Sequence, residues 1–230
     1  MIDDQVNPEA VKSHKGIIAN PNCSTIIMNT AVWPLYQAFG VSRCVVSTYQ
    51  SASGAGQAAM NELEQQARDW VDGKEKLSQD IIGRQYLWNV FSHNSDVNLE
   101  NGYNEEELKM INETRKIFKD EDIMVTATCI RVPVLRAHCE AINLTFKKPA
   151  TLEQVREILS SAPGVSIVDD REANQFPEPL KASHQDNVLV GRLRYDLSQP
   201  DKTGLEMFVA GDQLRKGAAT NAIQIAELLL

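Results

Sequence analysis

The chain lacks any apolar run approaching the ~20 residues of a bilayer-spanning helix, and Met1-Ile2-Asp3-Asp4 opens no secretory signal. No membrane partner is expected. Cysteine is scarce: Cys23, Cys44, Cys129 and Cys139 are the only four, with no CxxC and no metal-ligand spacing. That argues against a zinc site or a disulfide framework and favours free thiols in a reducing cytoplasm. Basic residues are in deficit, with 23 Lys plus Arg against 31 Asp plus Glu and a net charge of −8. This balance argues against nucleic acid as the main partner. Internal repeats and low-complexity tracts are also missing.

What is present reads as an α+β protein with a mixed sheet. Asn7 and Pro8 are placed to open a short helix, and Gly16-Ile17-Ile18-Ala19 reads as a short buried strand. A helix follows from Cys23, limited by Pro34 and Gly40. Val41 to Thr48 is β-branched and apolar and reads as a strand. Ser51 to Gly56 reads as a flexible turn leading into a helix over Gln57 to Val71. Residues 72–100 are polar and irregular. Asn104 opens a helix through Phe118, with carboxylates in the first turn where the dipole favours them. Ile123 to Val132 and Ala137 to Lys147 read as two strands joined across Pro133, neighbours in a sheet. Thr151 and Gln154 form a capping pattern for a helix over 151–161. Three more strands are expected at 165–168, 188–195 and 205–210, before a final helix from Asp212 to Leu230.

The stretch Asn20-Pro21-Asn22-Cys23-Ser24-Thr25 puts a cysteine in the first turn of a helix, among backbone N–H groups without intrahelical partners. Such a position favours the thiolate. A buried structural cysteine is the other reading, because Cys is among the most buried residue types. A catalytic thiol also needs an acid or base nearby in the fold. Of His14, His93, His138 and His184, only His138 stands at a strand mouth. Arg131 lies in an apolar strand, costly unless it is paired or faces a ligand carboxylate. Glu113 and Lys116 share a helix face, either as a solvated ion pair or as an amine-binding carboxylate beside a phosphate-binding lysine. Gly54-Ala55-Gly56 resembles half of a phosphate-cradling loop.

Taken in order, Asn20 to Thr25, Gln50 before Ser53-Gly54-Ala55-Gly56, Glu113-Thr114-Arg115-Lys116, Arg131 with His138, and Leu214-Arg215-Lys216-Gly217-Ala218-Ala219 resemble the aspartate-semialdehyde dehydrogenase family. The resemblance implies reversible, phosphorylating oxidation of L-aspartate 4-semialdehyde to L-4-aspartyl phosphate with NADP, on the route to lysine, threonine, methionine and isoleucine. It implies Cys23 as the nucleophile, His138 as general acid/base and Gln50 as a group orienting the intermediate. Arg131 would hold the substrate carboxylate, Glu113 its ammonium, and Lys116 and Asn22 the phosphate. Ser53 and Gly54 would contact the cofactor, and the chain would form a homodimer.

The resemblance further implies that residues 1–22 are a remnant of a nucleotide-binding domain and 23–211 a catalytic and dimerisation domain. Residues 212–230 would be a helix that packs on the nucleotide-binding domain. The 22 residues before Cys23 carry no GxGxxG-like turn and are fewer than the ~30 of a βαβ unit. A truncated chain with little NADP-dependent turnover is therefore expected, with Ala219, Ile223, Ile225, Ala226 and Leu229 partly exposed. The competing expectations are a non-catalytic paralogue keeping the dimerisation domain, or a related N-acetyl-glutamyl-phosphate reductase. Glu113 argues against the second, since acetylation would remove the charge it is proposed to bind.

Overall fold

Alternation of buried with more exposed residues along 43–50, 124–131 and 140–146 sets the frame, because one sheet face carries helices and the other is open. The computed structural model describes residues 1–230. Seven strands, β1 (Val41–Gln50), β2 (Phe91–Ser92), β3 (Met124–Arg131), β4 (His138–Phe146), β5 (Val165–Ile167), β6 (Val188–Tyr195) and β7 (Gly204–Gly211), form one mixed sheet. Their order is β2-β3-β1-β4-β7-β6-β5. Cys44, Val46, Thr48 and Gln50 of β1 face the helices, while Arg43, Val45, Ser47 and Tyr49 face outward. Helices α1 (Cys23–Phe39), α3 (Glu105–Phe118) and α4 (Leu152–Ser161) cover the buried face around Ile27, Leu35, Ile117, Ile142 and Leu144. Helix α2 (Gln57–Val71) carries a smaller core with Leu77, Tyr86, Leu87 and Phe91, which anchors residues 72–100. No helix is long and apolar enough to cross a membrane.

Local chemistry explains the well-marked elements. Asn104 with Glu107, and Thr151 with Gln154, form complete capping boxes at α3 and α4. Each satisfies two N–H groups that the helix itself cannot, a cap being worth about 1 kcal/mol.

Several expectations are corrected. Strands β3 and β4 are not neighbours: β1 lies between them, parallel to β3 and antiparallel to β4. The Pro133 connection therefore steps over one strand, because β1 supplies apolar partners to both. Residues 16–19 form no strand; Ile17 is 92 % exposed, and Ala19 O accepting from Ile2 N is this stretch's one contact of ladder type. Helix α1 runs through Pro34 to the positive-φ Gly40. Asn7 does not cap the turn at Pro8–Ser13; its Oδ1 accepts from Asp3 N at 2.8 Å instead. Ser51 to Gly56 is no flexible turn: it holds a 3₁₀ turn at Ala52–Ala55 with Ala52 and Ser53 buried and Gly54 exposed, pinned by Ala52 N and Ser53 N donating to Val134 O and Leu135 O. The last segment begins with a π turn at Arg215–Ala219 and becomes a regular helix, α5, only over Thr220–Glu227. Ile225 is 6 % exposed, not partly exposed as expected, because Ile2 and Val11 pack on it; Ala219, Ile223, Ala226 and Leu229 are exposed. Buried Lys216 ties the same end to Asp4.

Candidate active site

The sheet register assembles the site. Gln50 ends β1 opposite Arg131 of β3, and its neighbour Tyr49 pairs with Cys139, beside His138. Arg131, Gln50 and His138 thus lie in one row across three strands, on the helix-covered face. Above that row stands the N-terminus of α1. Asn22 caps it, its Oδ1 accepting from Ser24 N and Thr25 N at 3.0 and 3.2 Å. Cys23 is therefore the first helical residue, as the sequence implied. These elements enclose a cleft of about 390 Å³ lined by Cys23, Gln50, Glu106, Arg131, His138 and Gly54, among others. A larger groove of about 750 Å³ between the N-terminal segment and α1, α3 and α4 contains none of these side chains.

Glu106, which the sequence reading passed over, faces the cleft. Its Oε1 accepts from Asn22 Nδ2 at 2.8 Å and from Gln50 Nε2 at 3.2 Å. Lys109 Nζ stands 3.9 Å from its Oε2. Glu113 and Lys116 are not in the cleft lining. Glu113 Oε2 accepts from Asn22 N at 2.8 Å, and Lys116 is exposed. Helix α3 carries E-x-x-K twice, at 106–109 and 113–116, two turns apart on one face. Sequence spacing has no means of choosing between them; the packing of α3 against α1 brings Glu106 of the first copy into the cleft, with Lys109 exposed beside it and outside the lining. Asn22 lines the cleft too, but its amide is committed to the helix cap and to Glu106.

Arg131 is 3 % exposed. Its Nε and Nη1 donate to Asn94 Oδ1 at 3.2 Å and Ser51 O at 3.1 Å, and Nη2 meets His93 Nε2 at 2.8 Å. Burial and the Arg131 charge lower the His93 pKa to about 4, so that ring is neutral at physiological pH. His93, read from sequence as a polar loop residue, is thus a wall of the cleft. His138 is fully buried, and burial, followed by Arg131, holds its pKa well below the ordinary imidazole value. Ser51 N donates to His138 Nδ1 at 3.1 Å. The proton of the neutral ring therefore sits on Nε2, which lines the cleft with no protein partner.

The Cys23 thiol departs from expectation. Burial, then the charges of Glu106 and Glu140, push its pKa up to about 12, against the opposing pull of Arg131 and the Ser24 N–H. Position at a helix N-terminus is thus outweighed by desolvation and by two carboxylates. Cys23 is nonetheless half-buried, whereas the other three cysteines lie fully in the core.

Of the two residues expected to contact the cofactor, Gly54 is exposed and lines the cleft, and Ser53 lies buried beneath it. The Ser53 hydroxyl is buried and bonded to Gln213 and Ser51. Gly54 is needed for close approach: a Cβ there would lie 2.9 Å from His138 Cε1 and Nε2. Residues 1–22 hold a 3₁₀ turn and extended chain, with no glycine-rich strand–turn–helix to cradle a dinucleotide.

A sequence model of the family described as "Semialdehyde dehydrogenase, dimerisation domain" matches residues 32–216. The chain belongs to the aspartate-semialdehyde dehydrogenase family. It is 53 % identical to the aspartate-semialdehyde dehydrogenase of Synechocystis sp. over 230 residues, all of this chain and 67 % of that protein. The crystal structure of aspartate semialdehyde dehydrogenase II from Vibrio cholerae complexed with ASA superposes with a TM-score of 0.93 at 42 % identity, covering 99 % of this chain and 67 % of that one. Aspartate semialdehyde dehydrogenase from Candida albicans with NADP matches at a TM-score of 0.71 and 26 % identity, over 99 % and 66 % of the two chains. The chain thus spans about two thirds of the length of its family relatives.

Proposed function

We propose that these residues carry the acyl-transfer chemistry of the family: Cys23 accepts the aspartyl group of L-4-aspartyl phosphate as a thioester and releases phosphate. The observation carrying this reading is the single cleft that joins one accessible thiol to an arginine, a carboxylate and a neutral imidazole with a free N–H. Arg131 offers its guanidinium to the substrate α-carboxylate. Glu106 takes the ammonium role that the sequence reading gave to Glu113, and Lys109 takes the phosphate role given to Lys116. Gln50, held by Ser24 Oγ at 3.1 Å and by Glu106, positions the acyl group over Cys23.

In acylation the Cys23 sulfur forms a bond to the acyl carbon, the carbonyl oxygen becomes an oxyanion, and the bond from the acyl carbon to the phosphate-bearing oxygen breaks as the carbonyl re-forms, the phosphate leaving with the proton that the thiol gives up. His138 Nε2–H serves as the hydrogen-bond donor to the oxyanion, a neutral electrophile in the resting tautomer. Ground-state activation follows from charge. Glu106 contributes after burial to the raised Cys23 pKa, so a substrate ammonium on Glu106 cancels one cause and favours the thiolate as substrate binds. NADP would supply the hydride acceptor or donor in the family reaction; residues 1–22 form no glycine-rich cradle for it. The half-exposed outer face of the sheet, with Val45, Tyr49, Ile130 and Phe208, is the surface we assign to homodimerisation.

Comparing L-4-aspartyl phosphate with succinyl phosphate, which lacks only the ammonium, tests the Glu106 assignment. The natural acyl phosphate should acylate Cys23 faster in the unmodified chain, and Glu106→Gln should remove the preference while Glu113→Gln keeps it. Loss of preference in Glu113→Gln alone would return the ammonium site to Glu113.

A further inference from the structure

Behind His138 lies a closed ring of hydrogen bonds among buried side chains that the chemistry above does not use. Ala137, immediately before His138, has φ +70°, the left-handed region that a residue bearing Cβ disfavours. Its N–H donates to Gln213 Oε1 at 3.0 Å. The other end of the same amide, Nε2, donates to Ser53 Oγ. Ser53 Oγ stands 3.0 Å from Ser51 Oγ, which stands 3.1 Å from His138 Nδ1. Gln213, Ser53, Ser51, Ala137 and His138 are all buried.

Partner chemistry gives the ring a direction. A backbone N–H only donates, so the Gln213 oxygen faces Ala137 and its NH₂ faces Ser53. Ser53 accepts there and is free to donate to Ser51, which in turn donates to Nδ1, alongside the Ser51 backbone N–H. Every donor in the ring is aimed toward the one imidazole nitrogen that must stay unprotonated.

We propose that Gln213 is a positioning residue for His138: one amide holds the left-handed backbone at Ala137 and orients the Ser53–Ser51 pair, fixing Nδ1 as acceptor and pointing Nε2–H at the Cys23 cleft. The functional half of this proposal rests on the role given above to His138, whereas its structural half stands without it.

The test uses the ¹⁵N-histidine-labelled chain. In the parent protein His138 should show an unprotonated Nδ1 and a protonated Nε2 across about pH 6–9. Gln213→Leu should give exchange between tautomers and slow acylation of Cys23 about 10- to 100-fold, with little change in the acyl phosphate concentration giving half-maximal rate. Adding Ala137→Gly, which tolerates the positive φ, should recover part of that rate. Ser53→Ala cuts the ring without touching the Ala137 bond and decides the matter if Gln213→Leu does not fold; it should produce tautomer exchange by itself. A parent protein protonated at Nδ1, or variants whose His138 signals match the parent, would overturn the proposal. Parent-like acylation in variants with altered tautomers would leave the geometry standing and sink the role of His138.

Discussion

Replacing Gly54 by Ala adds one methyl group at the point where the β1 exit passes the row of Arg131, Gln50 and His138. The new Cβ would lie 2.9 Å from His138 Cε1 and Nε2 and 3.1 Å from Arg131 Nη1. Carbon contacts settle at about 3.5–4.0 Å, so roughly 0.6–1 Å of displacement must be found. Neither neighbour gives way easily. His138 is tied through Nδ1 to Ser51 N, and Arg131 is held at Nε, Nη1 and Nη2 by Asn94, Ser51 and His93. Overpacking of this kind costs about 1–3 kcal/mol. For a chain of this size that is a fall in melting temperature of roughly 2–12 °C. A misplacement near 1 Å between carboxylate clamp, oxyanion donor and thiol should slow acylation by about 100-fold. The assay is phosphate release from L-4-aspartyl phosphate in the first turnover, read beside a thermal melt. Parent-like rates and melting in Gly54→Ala would refute the close-approach account of this glycine.

Other expectations follow from the same geometry. Glu106→Gln should speed alkylation of Cys23 by a small thiol reagent near neutral pH, because it removes one of the charges that raise the thiol pKa; unchanged or slower labelling would contradict that cause. Glu140 is fully buried with no partner on either carboxyl oxygen, and burial raises its pKa well above the ordinary 4.5. The folded state then binds more protons than the unfolded state above that value, so Glu140 costs more stability as pH rises toward its folded pKa. Glu140→Gln should therefore gain stability over the parent as pH increases from about 5 to 8, and a gain independent of pH would count against the reading. Thr151→Ala should lose about 1 kcal/mol in denaturant melts by removing the α4 cap, without changing Cys23 acylation.

The sequence was most legible where one local rule governed one element. Periodicity and capping residues placed α2, α3, α4 and β6 within a residue, because their signals lie inside the segment itself. It was least legible where partners are distant. Insertion of β1 between β3 and β4 is a matter of register, which no window spanning Pro133 contains. At the site, the family resemblance marked Cys23, Gln50, Arg131 and His138, and the fold gathers those four. The two E-x-x-K copies on α3 are equivalent in spacing, so only the packing of α3 on α1 separates Glu106 from Glu113. The thiol's raised pKa was illegible for the same reason: it comes from burial and from carboxylates 83 and 117 residues away along the chain.

If Cys23 is the acyl acceptor served by Arg131, Glu106 and His138, it must carry the aspartyl group covalently. Intact-mass analysis after mixing the chain with L-4-aspartyl phosphate tests it most directly. One aspartyl adduct per chain on the Cys23 peptide, with matching phosphate release and neither in Cys23→Ser, is the result expected. No adduct on Cys23, or labelling spread equally over Cys44, Cys129 and Cys139, would contradict it.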